Sequence, residues 1–303
     1  MSELEDLSFG GTTILFGRDR GKYPDANCVL VEGADERVLL DTTPGLVERG
    51  REAIGTIDRI LLTHAHEDHL AGNFLFPDAA VQCHQADLSG LHSLEGFVEI
   101  FGPTAERRSD LEKMLVERFH YVPRPDATGF EDGHVFDLGG GVSIEVVHSP
   151  GHTRGHCAFW IRPADILFLG DVDLSSFGPF YADAWGSLED FEETLRRLRP
   201  LEASYYLTGH HIGLLEGREA FLARLDRYED KVRERESLLL EFLAQPRTIN
   251  EVVAHRFVYR PQDDRPGIDH VERRSMSQHI ERLMREGRVV EAEGHRLVAP
   301  RSQ

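Results

Sequence analysis

The segment 59–73, RILLTHAHEDHLAGN, limits the possible folds more than any other part of this sequence. It begins with an apolar run at 60–62, which is typical of a buried β-strand. Polar side chains follow at once, and they are His64, His66, Asp68 and His69. Such groups add nothing to a hydrophobic core, so they need either solvent or a shared partner. The segment therefore predicts a strand that ends at a site.

Three further apolar runs end in the same manner. The run VSIEVVHSPGH leads to His152, DILFLGD ends at Asp171, and ASYYLTGH ends at His210. In an α/β protein, the loops at the carboxyl ends of strands gather to form a site. Imidazole and carboxylate groups are preferred ligands of zinc and similar divalent ions. The four runs together predict a metal site, and seven candidate ligands are enough for two ions that share a bridging carboxylate.

The first two-thirds of the chain alternate strand-like and helix-like patterns. The runs TTILFG, NCVLVEG, RVLLDTTPG and AVQCH are typical of strands, whereas LVERGREAIG and residues 104–121 are typical of helices. The segment SLEDFEETLRRLRPL predicts a helix with Ser187 as its N-cap, and ASYYLTGHH predicts the last strand of this region. The alternation predicts a layered α/β fold with the sheets in the middle.

The pattern changes after about Gly217, which predicts two domains, residues 1–217 and residues 218–303. Residues 218–244 predict a long charged helix, and TINEVVAHRF and RSMSQHIERLMREG predict two more helices. A hairpin is predicted in RVVEAEGHRLVAP, around Glu293 and Gly294. Helix, helix and hairpin in this order outline a small α+β domain of the winged-helix kind.

Composition and charge narrow the classes of function. The chain contains no run of about 18 apolar residues, and its acidic start, MSELEDLSFGG, lacks the features of a secretory signal. Its cysteines, Cys28, Cys83 and Cys157, are odd in number and far apart, so we expect no disulfide framework and a cytoplasmic protein. The net charge of −19 disfavours nonspecific attraction to nucleic acid or to an anionic membrane.

The motifs THAHEDH, SPGHTRGH, GDVDL and TGHH, in this order, resemble the metallo-β-lactamase superfamily over residues 9–215. The resemblance implies a four-layer αββα sandwich with a two-metal site at one sheet edge. It implies that His64, His66 and His152 hold the first metal, that Asp68, His69 and His210 hold the second, and that Asp171 bridges both. In the true zinc β-lactamases of this superfamily a cysteine takes the second-metal place that Asp171 serves here. That departure disfavours antibiotic hydrolysis.

The chemistry implied is that of two divalent ions, with zinc as the expected metal and iron or manganese as alternatives. Such a pair lowers the pKa of a shared water and supplies hydroxide, which attacks a carbonyl carbon or phosphorus. Asp68 would orient this nucleophile as well as bind metal, so we expect it to be catalytic. The sequence assigns no other side chain as the general acid.

Three other residues are candidates for supporting roles. Asp41 in VLLDTTPG would accept a hydrogen bond from a ligand imidazole, or would only form a turn after its strand. Tyr181 lies in the aromatic segment 175–185, which would form either a substrate wall with an oxyanion donor or an ordinary packed loop. His211 follows His210 directly, and we expect it to support the site or to be exposed.

Four classes of function stay open. We expect a hydrolase of a small ester, thioester or lactone, similar in chemistry to glyoxalase II. The alternative is a phosphodiesterase of the β-lactamase-like endoribonuclease type, in which the terminal domain holds RNA. Segment 246–303 has 11 Arg against 9 Asp plus Glu, however, and this mixture is typical of a solvated face or a homodimer contact. A mononuclear-iron persulfide dioxygenase would leave His66, Asp68, His69 and His210 unused, and a non-enzymatic binding module would leave the whole set unused.

Overall fold

The computed structural model of the chain describes residues 5–264 and 266–300. Residues 1–4, Arg265 and residues 301–303 lie outside the described residues. The prediction that the chain starts without a secretory signal falls partly on residues 1–4. In the described part, no helix is both long enough and apolar enough to cross a membrane.

The first β-sheet has both antiparallel and parallel pairs. Its strands are β1 (Leu7–Phe9), β2 (Thr12–Leu15), β3 (Cys28–Glu32), β4 (Arg37–Leu40), β5 (Arg59–Leu61), β6 (Ala80–His84) and β7 (Thr128–Phe130). They lie side by side in chain order, antiparallel from β1 to β4 and parallel from β4 to β7. The parallel half therefore brings the carboxyl ends of β4, β5 and β6 to one edge.

The second β-sheet lies against the first. Its strands are β8 (Val135–Asp137), β9 (Ser143–His148), β10 (Cys157–Arg162), β11 (Ile166–Phe168), β12 (Tyr205–Leu207) and β13 (Leu214–Glu216). The order across the sheet is β13-β12-β11-β10-β9-β8, and β11 and β12 are parallel while the other neighbours are antiparallel.

The helices cover the outer faces of the two sheets, lie in loops at the sheet edge, or belong to the C-terminal part. They are α1 (Arg18–Gly21, a single turn), α2 (Pro44–Arg49), α3 (Arg51–Ile54), α4 (Glu67–Leu70), α5 (Leu88–His92), α6 (Leu94–Phe101), α7 (Ala105–Glu117), α8 (Leu188–Leu198), α9 (Arg218–Phe242), α10 (Ile249–His255) and α11 (Ile268–Arg285). The N-cap prediction for α8 is confirmed, because the Ser187 hydroxyl accepts the Asp190 amide at 3.2 Å. The helix predicted in LVERGREAIG divides into α2 and α3 at Gly50, whose φ is +77°.

Three apolar clusters separate four layers. Leu39 of β4 lies in the cluster between the first sheet and its helices, with Phe97 of α6. Leu40, its neighbour, points the other way into the cluster between the two sheets, as the two-residue period of a strand requires. The third cluster joins Leu167 of β11 to Phe191 of α8. This stacking confirms the predicted layered α/β sandwich.

The sequence patterns missed the shortest strands. The prediction that ASYYLTGHH holds the last strand of its region is wrong, because β13 follows β12 and pairs with it. Strands β1, β7, β8 and β13 have three residues each. Strands β5, β11 and β12 are equally short, but they lie in apolar runs that the sequence shows. The four missed strands have no such run, so only the pairing with a neighbour identifies them.

The C-terminal part contains the predicted elements in the predicted order. Helices α10 and α11 are followed by the hairpin of β14 (Val290–Ala292) and β15 (Arg296–Val298). Their apolar cluster includes Leu239 of α9, whereas Leu225 of the same helix lies in the third cluster of the sandwich. Helix α9 therefore contributes to both cores. The boundary at 217/218 and the winged-helix assignment stay predictions.

Candidate metal centre

Loops after four strands bring the seven predicted ligands to one place. They are His64, His66, Asp68 and His69 after β5, His152 after β9, Asp171 after β11 and His210 after β12. The short helix α4 carries Asp68 and His69 on its single turn. Six of the seven are buried, and the side chain of Asp171 is 14% exposed.

The ligand atoms form two groups that share Asp171. The atoms of His64, His66 and His152 lie within 4.8 Å of one another, and so do those of Asp68, His69 and His210. Asp171 Oδ2 lies 3.2 Å from His152 Nε2 in the first group. Its Oδ1 lies 2.9 Å from His69 Nε2 in the second group. A third group within the same distance, His64, His69 and Asp171, joins members of both. The division between two metals that the resemblance implies stays a prediction.

The protein holds one nitrogen of four of the five candidate imidazoles, those of His64, His69, His152 and His210, and leaves the other facing the cluster. His152 Nδ1 donates to the Phe180 carbonyl at 2.9 Å, and His210 Nδ1 donates to the Gly21 carbonyl at 2.6 Å. A carbonyl can only accept, so both Nδ1 atoms carry the proton and, in the neutral rings, both Nε2 atoms are bare. Such an outer partner is a regular feature of metal-binding histidines, because it sets the tautomer and the direction of the ring.

Asp41 holds two more imidazoles. Its Oδ2 accepts from His69 Nδ1 at 2.8 Å and from the Thr63 hydroxyl at 2.8 Å. Because the Thr63 proton is donated to Asp41, the hydroxyl oxygen accepts from His64 Nδ1 at 3.0 Å. Burial raises the pKa of Asp41, and the contact with His69 opposes that rise. The contact with His69 is the one that the sequence predicted for Asp41.

The inner nitrogens of these rings face one another, and in the neutral forms of His69, His152 and His210 the inner nitrogen carries no proton. Burial disfavours the charged forms of His69 and His210, but the nearby carboxylates of Asp171 and Asp68 raise the pKa of both rings above the usual value. His152 Nε2 lies 2.9 Å from His66 Nδ1, and His69 Nε2 lies 3.2 Å from His210 Nε2. His64 Nε2 is buried and has no hydrogen-bond partner among residues 5–264 and 266–300. Burial lowers the pKa of His64 well below its usual range, so this ring is neutral. Facing lone pairs repel each other, whereas a cation in each group would bind them. The residues present therefore fit two divalent ions.

A glycine and a buried histidine place Asp171. Gly170 has a φ of +52°, and a Cβ there would lie 2.6 Å from His156 Nε2. His156 donates from Nδ1 to the Ser149 carbonyl at 2.9 Å and accepts the Asp171 amide on Nε2 at 3.0 Å. Burial lowers the pKa of His156 to about 3, so it stays neutral and keeps this role. His156 thus orients a ligand without being one.

Asp87 is a supporting residue that the sequence reasoning missed. It is fully buried and accepts the Ala65 amide at 3.2 Å, the Gly155 amide at 2.7 Å and the Thr153 hydroxyl at 2.6 Å. Ala65 lies inside the first ligand segment and Thr153 follows His152, so one carboxylate ties two ligand loops together. Asp87 comes just after β6, the parallel neighbour of β5. A carboxylate at the carboxyl end of a strand next to β5 could have been predicted to lie near the ligand loops.

Tyr181 does not occupy the predicted position. It is fully buried, and its hydroxyl lies 2.8 Å from His279 Nε2 and accepts from Arg235 at 3.3 Å. The hydroxyl is therefore engaged by the C-terminal helices, and of the two roles that the sequence left open for this segment, the packed loop fits this contact better than the oxyanion donor. His211 has a side chain that is 39% exposed, and its Nε2 lies 4.0 Å from Asp173. It belongs to neither ligand group.

Comparison with known proteins agrees with this geometry. Residues 24–210, more than half of the chain, match the model of the Metallo-beta-lactamase superfamily. A hydroxyacylglutathione hydrolase from Methylococcus capsulatus is 27% identical over 234 residues, which are 71% of this chain and 76% of that protein. The human acyl-coenzyme A thioesterase MBLAC2 is 29% identical over 164 residues, which are 48% of this chain and 58% of that protein.

A solved structure shows the same fold over almost the whole chain. A metallo-beta-lactamase family protein from Thermus thermophilus superposes with a TM-score of 0.71 at 24% identity, covering 96% of this chain and 99% of that one. The superposition shows the shared fold, and the family model adds a match at the level of sequence. The chain therefore belongs to the metallo-beta-lactamase superfamily.

Proposed function

We propose that this metallo-hydrolase cleaves a small thioester or ester with two divalent metal ions held by the seven ligands. The observation that carries the proposal is the pair of facing imidazole nitrogens in each group, with Asp171 reaching both groups. The first ion would be held by His64, His66 and His152, and the second by Asp68, His69 and His210. Zinc suits these nitrogen and oxygen ligands, and iron and manganese are alternatives.

Asp68 is the proposed catalytic residue. Two bound divalent ions supply a water of lowered pKa and polarise the substrate carbonyl. Asp68 is 4% exposed, and its Oδ2 lies 3.3 Å from His210 Nε2 while its Oδ1 lies 3.8 Å from His69 Nε2. A carboxylate held by one oxygen keeps the other free to orient the attacking water and to accept its proton.

The substrate class is inferred from relatives and from charge. The names of the two relatives given above both describe the hydrolysis of acylated thiols. A polyanionic substrate is less well supported, because two of the four arginines of α11 already bind carboxylates of the same chain. Arg282 donates to Glu192 at 2.6 Å and also to Glu236, and Arg285 donates to Glu189. These contacts favour a small molecule over RNA.

The test compares carbonyl and phosphoryl substrates at equal metal content. The metal-loaded chain is assayed with an acyl-coenzyme A, an acylglutathione, a simple lactone and bis-p-nitrophenyl phosphate. We expect at least one acyl substrate to be hydrolysed faster than the phosphodiester, and metal analysis to show about two ions per chain. Faster phosphodiester hydrolysis would contradict the proposal and support the endoribonuclease type. One iron per chain would support the dioxygenase.

Two further expectations concern assembly and location. A homodimer through residues 218–303 stays a prediction, and sedimentation of the full chain tests it directly. A cytoplasmic location also stays a prediction, and fractionation of cells with an antibody against the protein tests it.

A further inference from the structure

The loop 175–186 lies between the metal centre and the C-terminal helices α9 and α11. On its inner side, the Phe180 carbonyl accepts from His152 Nδ1 at 2.9 Å, and Asp183 Oδ2 lies 3.3 Å from His66 Nε2. His152 and His66 both belong to the first group of ligands. The loop therefore holds the direction of the His152 imidazole by a hydrogen bond and brings a carboxylate close to that of His66.

Helix α9 holds this loop through one buried arginine. Arg235 is 4% exposed, and it donates to the Phe177 carbonyl at 2.6 Å and to the Pro179 carbonyl at 2.8 Å. It also donates to the Tyr181 hydroxyl at 3.3 Å. A buried guanidinium with an unsatisfied donor is costly, so these carbonyls cannot move away from Arg235 without a loss of stability.

Helix α11 holds the loop from a second side. Gln278 Nε2 donates to the Tyr181 carbonyl at 2.8 Å, and Gln278 Oε1 accepts the Leu188 amide at 2.6 Å. His279 is fully buried and lies 2.8 Å from the Tyr181 hydroxyl. Tyr181 directly follows Phe180, so these bonds hold the carbonyl that orients a ligand imidazole.

The second group of ligands is held by a different part of the chain. His69 is held by Asp41 at the end of β4. His210 Nδ1 lies 2.6 Å from the Gly21 carbonyl and 3.0 Å from the Asp25 carbonyl. These partners all come from the first 41 residues of the chain. The C-terminal helices therefore support the first group and do not hold the two imidazoles of the second.

We propose that Arg235, Gln278 and His279 are positioning residues of the first metal position. Through them the C-terminal helices set the metal affinity of one position without contributing a ligand. The inference rests on the proposed two-metal function. Removing a residue that orients a metal ligand lowers metal affinity about 10–100-fold, and these residues act one contact further out. We therefore expect an effect near the lower end of that range.

The test measures Zn²⁺ affinity in two backgrounds of the full chain. His210→Ala leaves only the first group complete, and His64→Ala leaves only the second group complete. Gln278→Ala is added to each, and Zn²⁺ is titrated into the metal-free proteins in competition with a chromophoric chelator. We expect about tenfold weaker Zn²⁺ binding in the His210→Ala background and a change of less than about twofold in the His64→Ala background.

Two further variants control this measurement. Arg273→Ala changes an exposed residue of the same helix, whose guanidinium donates to Asn250 at 2.7 Å, and it should leave both affinities unchanged. Tyr181→Phe removes only the hydroxyl that His279 and Arg235 contact, and the ring that fills the core stays in place. This variant therefore tests the inference if Gln278→Ala fails to fold. It should weaken the first position by at least about twofold.

Equal Zn²⁺ affinities in all variants would overturn the inference, and so would equal weakening at both positions. The experiment does not depend on turnover. A wild-type chain that binds two Zn²⁺ ions but hydrolyses no acyl substrate would contradict the proposed function and leave the positioning roles standing. The reverse outcome is also distinguishable. If the wild-type chain hydrolyses thioesters but Gln278→Ala and Tyr181→Phe keep full Zn²⁺ affinity at the first position, the proposed function stands and the positioning roles do not.

Discussion

The metal centre differs in its hydrogen bonding from two carboxylates of the C-terminal part, Glu272 and Glu236, which we together call the C-terminal cluster. In the C-terminal part, Glu272 is fully buried and accepts three backbone amides, from Phe257 at 3.0 Å, Val258 at 3.0 Å and Tyr259 at 2.7 Å. Glu236 accepts from Arg282 and, at 2.7 Å, from Arg288. Each carboxylate meets donors that belong to the chain itself, so this cluster is satisfied by folding alone.

The metal centre has a surplus of acceptors. Imidazole nitrogens face each other at 2.9 Å and 3.2 Å, and His64 Nε2 has no hydrogen-bond partner in the described part of the chain. The Nδ1 protons of His69, His152 and His210 are donated to acceptors outside the cluster, and these hydrogen bonds set the direction of each ring. The comparison teaches that burial of polar groups does not by itself indicate a site. A cluster that folding leaves unsatisfied needs a ligand from outside, and its acceptor atoms require that ligand to be a cation.

The largest expected effect is at the unsatisfied cluster. His66→Ala should lower turnover by at least about 10³-fold, because several kcal/mol of metal-dependent stabilisation of the transition state are lost. The bound metal should also decrease, while the free energy of unfolding of the metal-free chain should change by less than about 1 kcal/mol. His84→Ala is the control, since that ring stacks on His148 outside the ligand groups. Full activity in His66→Ala would contradict the ligand assignment.

A substitution in the C-terminal cluster should lower stability and leave the metal content unchanged. Glu272→Ala leaves three amides without their acceptor and should lower the free energy of unfolding by about 3 kcal/mol, measured by urea denaturation of the metal-free protein. The metal content should not change. Glu281→Ala, at an exposed position of the same helix, is the matched control. A loss of metal in Glu272→Ala without a loss of stability would remove the distinction between the clusters.

Asp41→Asn tests the support behind the ligands. The amide would present a donor where both His69 Nδ1 and the Thr63 hydroxyl already donate, so two imidazoles lose their orientation. We expect metal affinity to fall about 10–100-fold, as measured by competition with a chelator. Asp58→Asn is the control, because Asp58 accepts the Arg37 amide at the opposite end of β4. Unchanged affinity in Asp41→Asn would show that the rings keep their direction without it.

A pH titration of stability tests the C-terminal cluster. Hydrogen bonds from His279, Arg282 and Arg288 lower the pKa of Glu236 from 4.5 to about 2. A carboxylate with a lowered pKa stabilises the fold fully above its unfolded value, and this stabilisation is lost as pH falls from 4.5 towards 2. Glu236→Gln should therefore flatten the decrease in unfolding free energy between about pH 5 and about pH 3. An equal decrease in both proteins would show that other groups cause it.

The smallest expected effect is at the surface between α8 and α11. Arg285 contacts Glu189, and both side chains are 60% exposed. Exposed ion pairs contribute about 0–1 kcal/mol, so Arg285→Ala should change the unfolding free energy by about 0.5 kcal/mol or less and leave metal affinity unchanged. A larger loss of stability would mean that the contact between these helices depends on this pair.

Much of the fold and of the candidate ligand set was predictable because its signals are local. The apolar run of β5 and the histidines after it lie within one segment, 59–73, and the run before Asp171 is equally close to its ligand. The short strands without an apolar run were not predictable, and β13, for example, is recognisable only by its pairing with β12. Asp183 and Tyr181 lie in the same loop, yet nothing in their local sequence shows that one faces the ligand His66 while the other faces α11.

The sequence by itself determined which residues are candidates to hold the metals and in what order the strands deliver them, because ligand chemistry and strand periodicity are properties of short segments. Only the tertiary structure decided which nitrogen of each imidazole is bare. That choice depends on partners far along the chain, such as Asp41 for His69 and Phe180 for His152. A hydrogen bond between distant segments exists only after packing brings them within about 3 Å, so no local pattern could encode it.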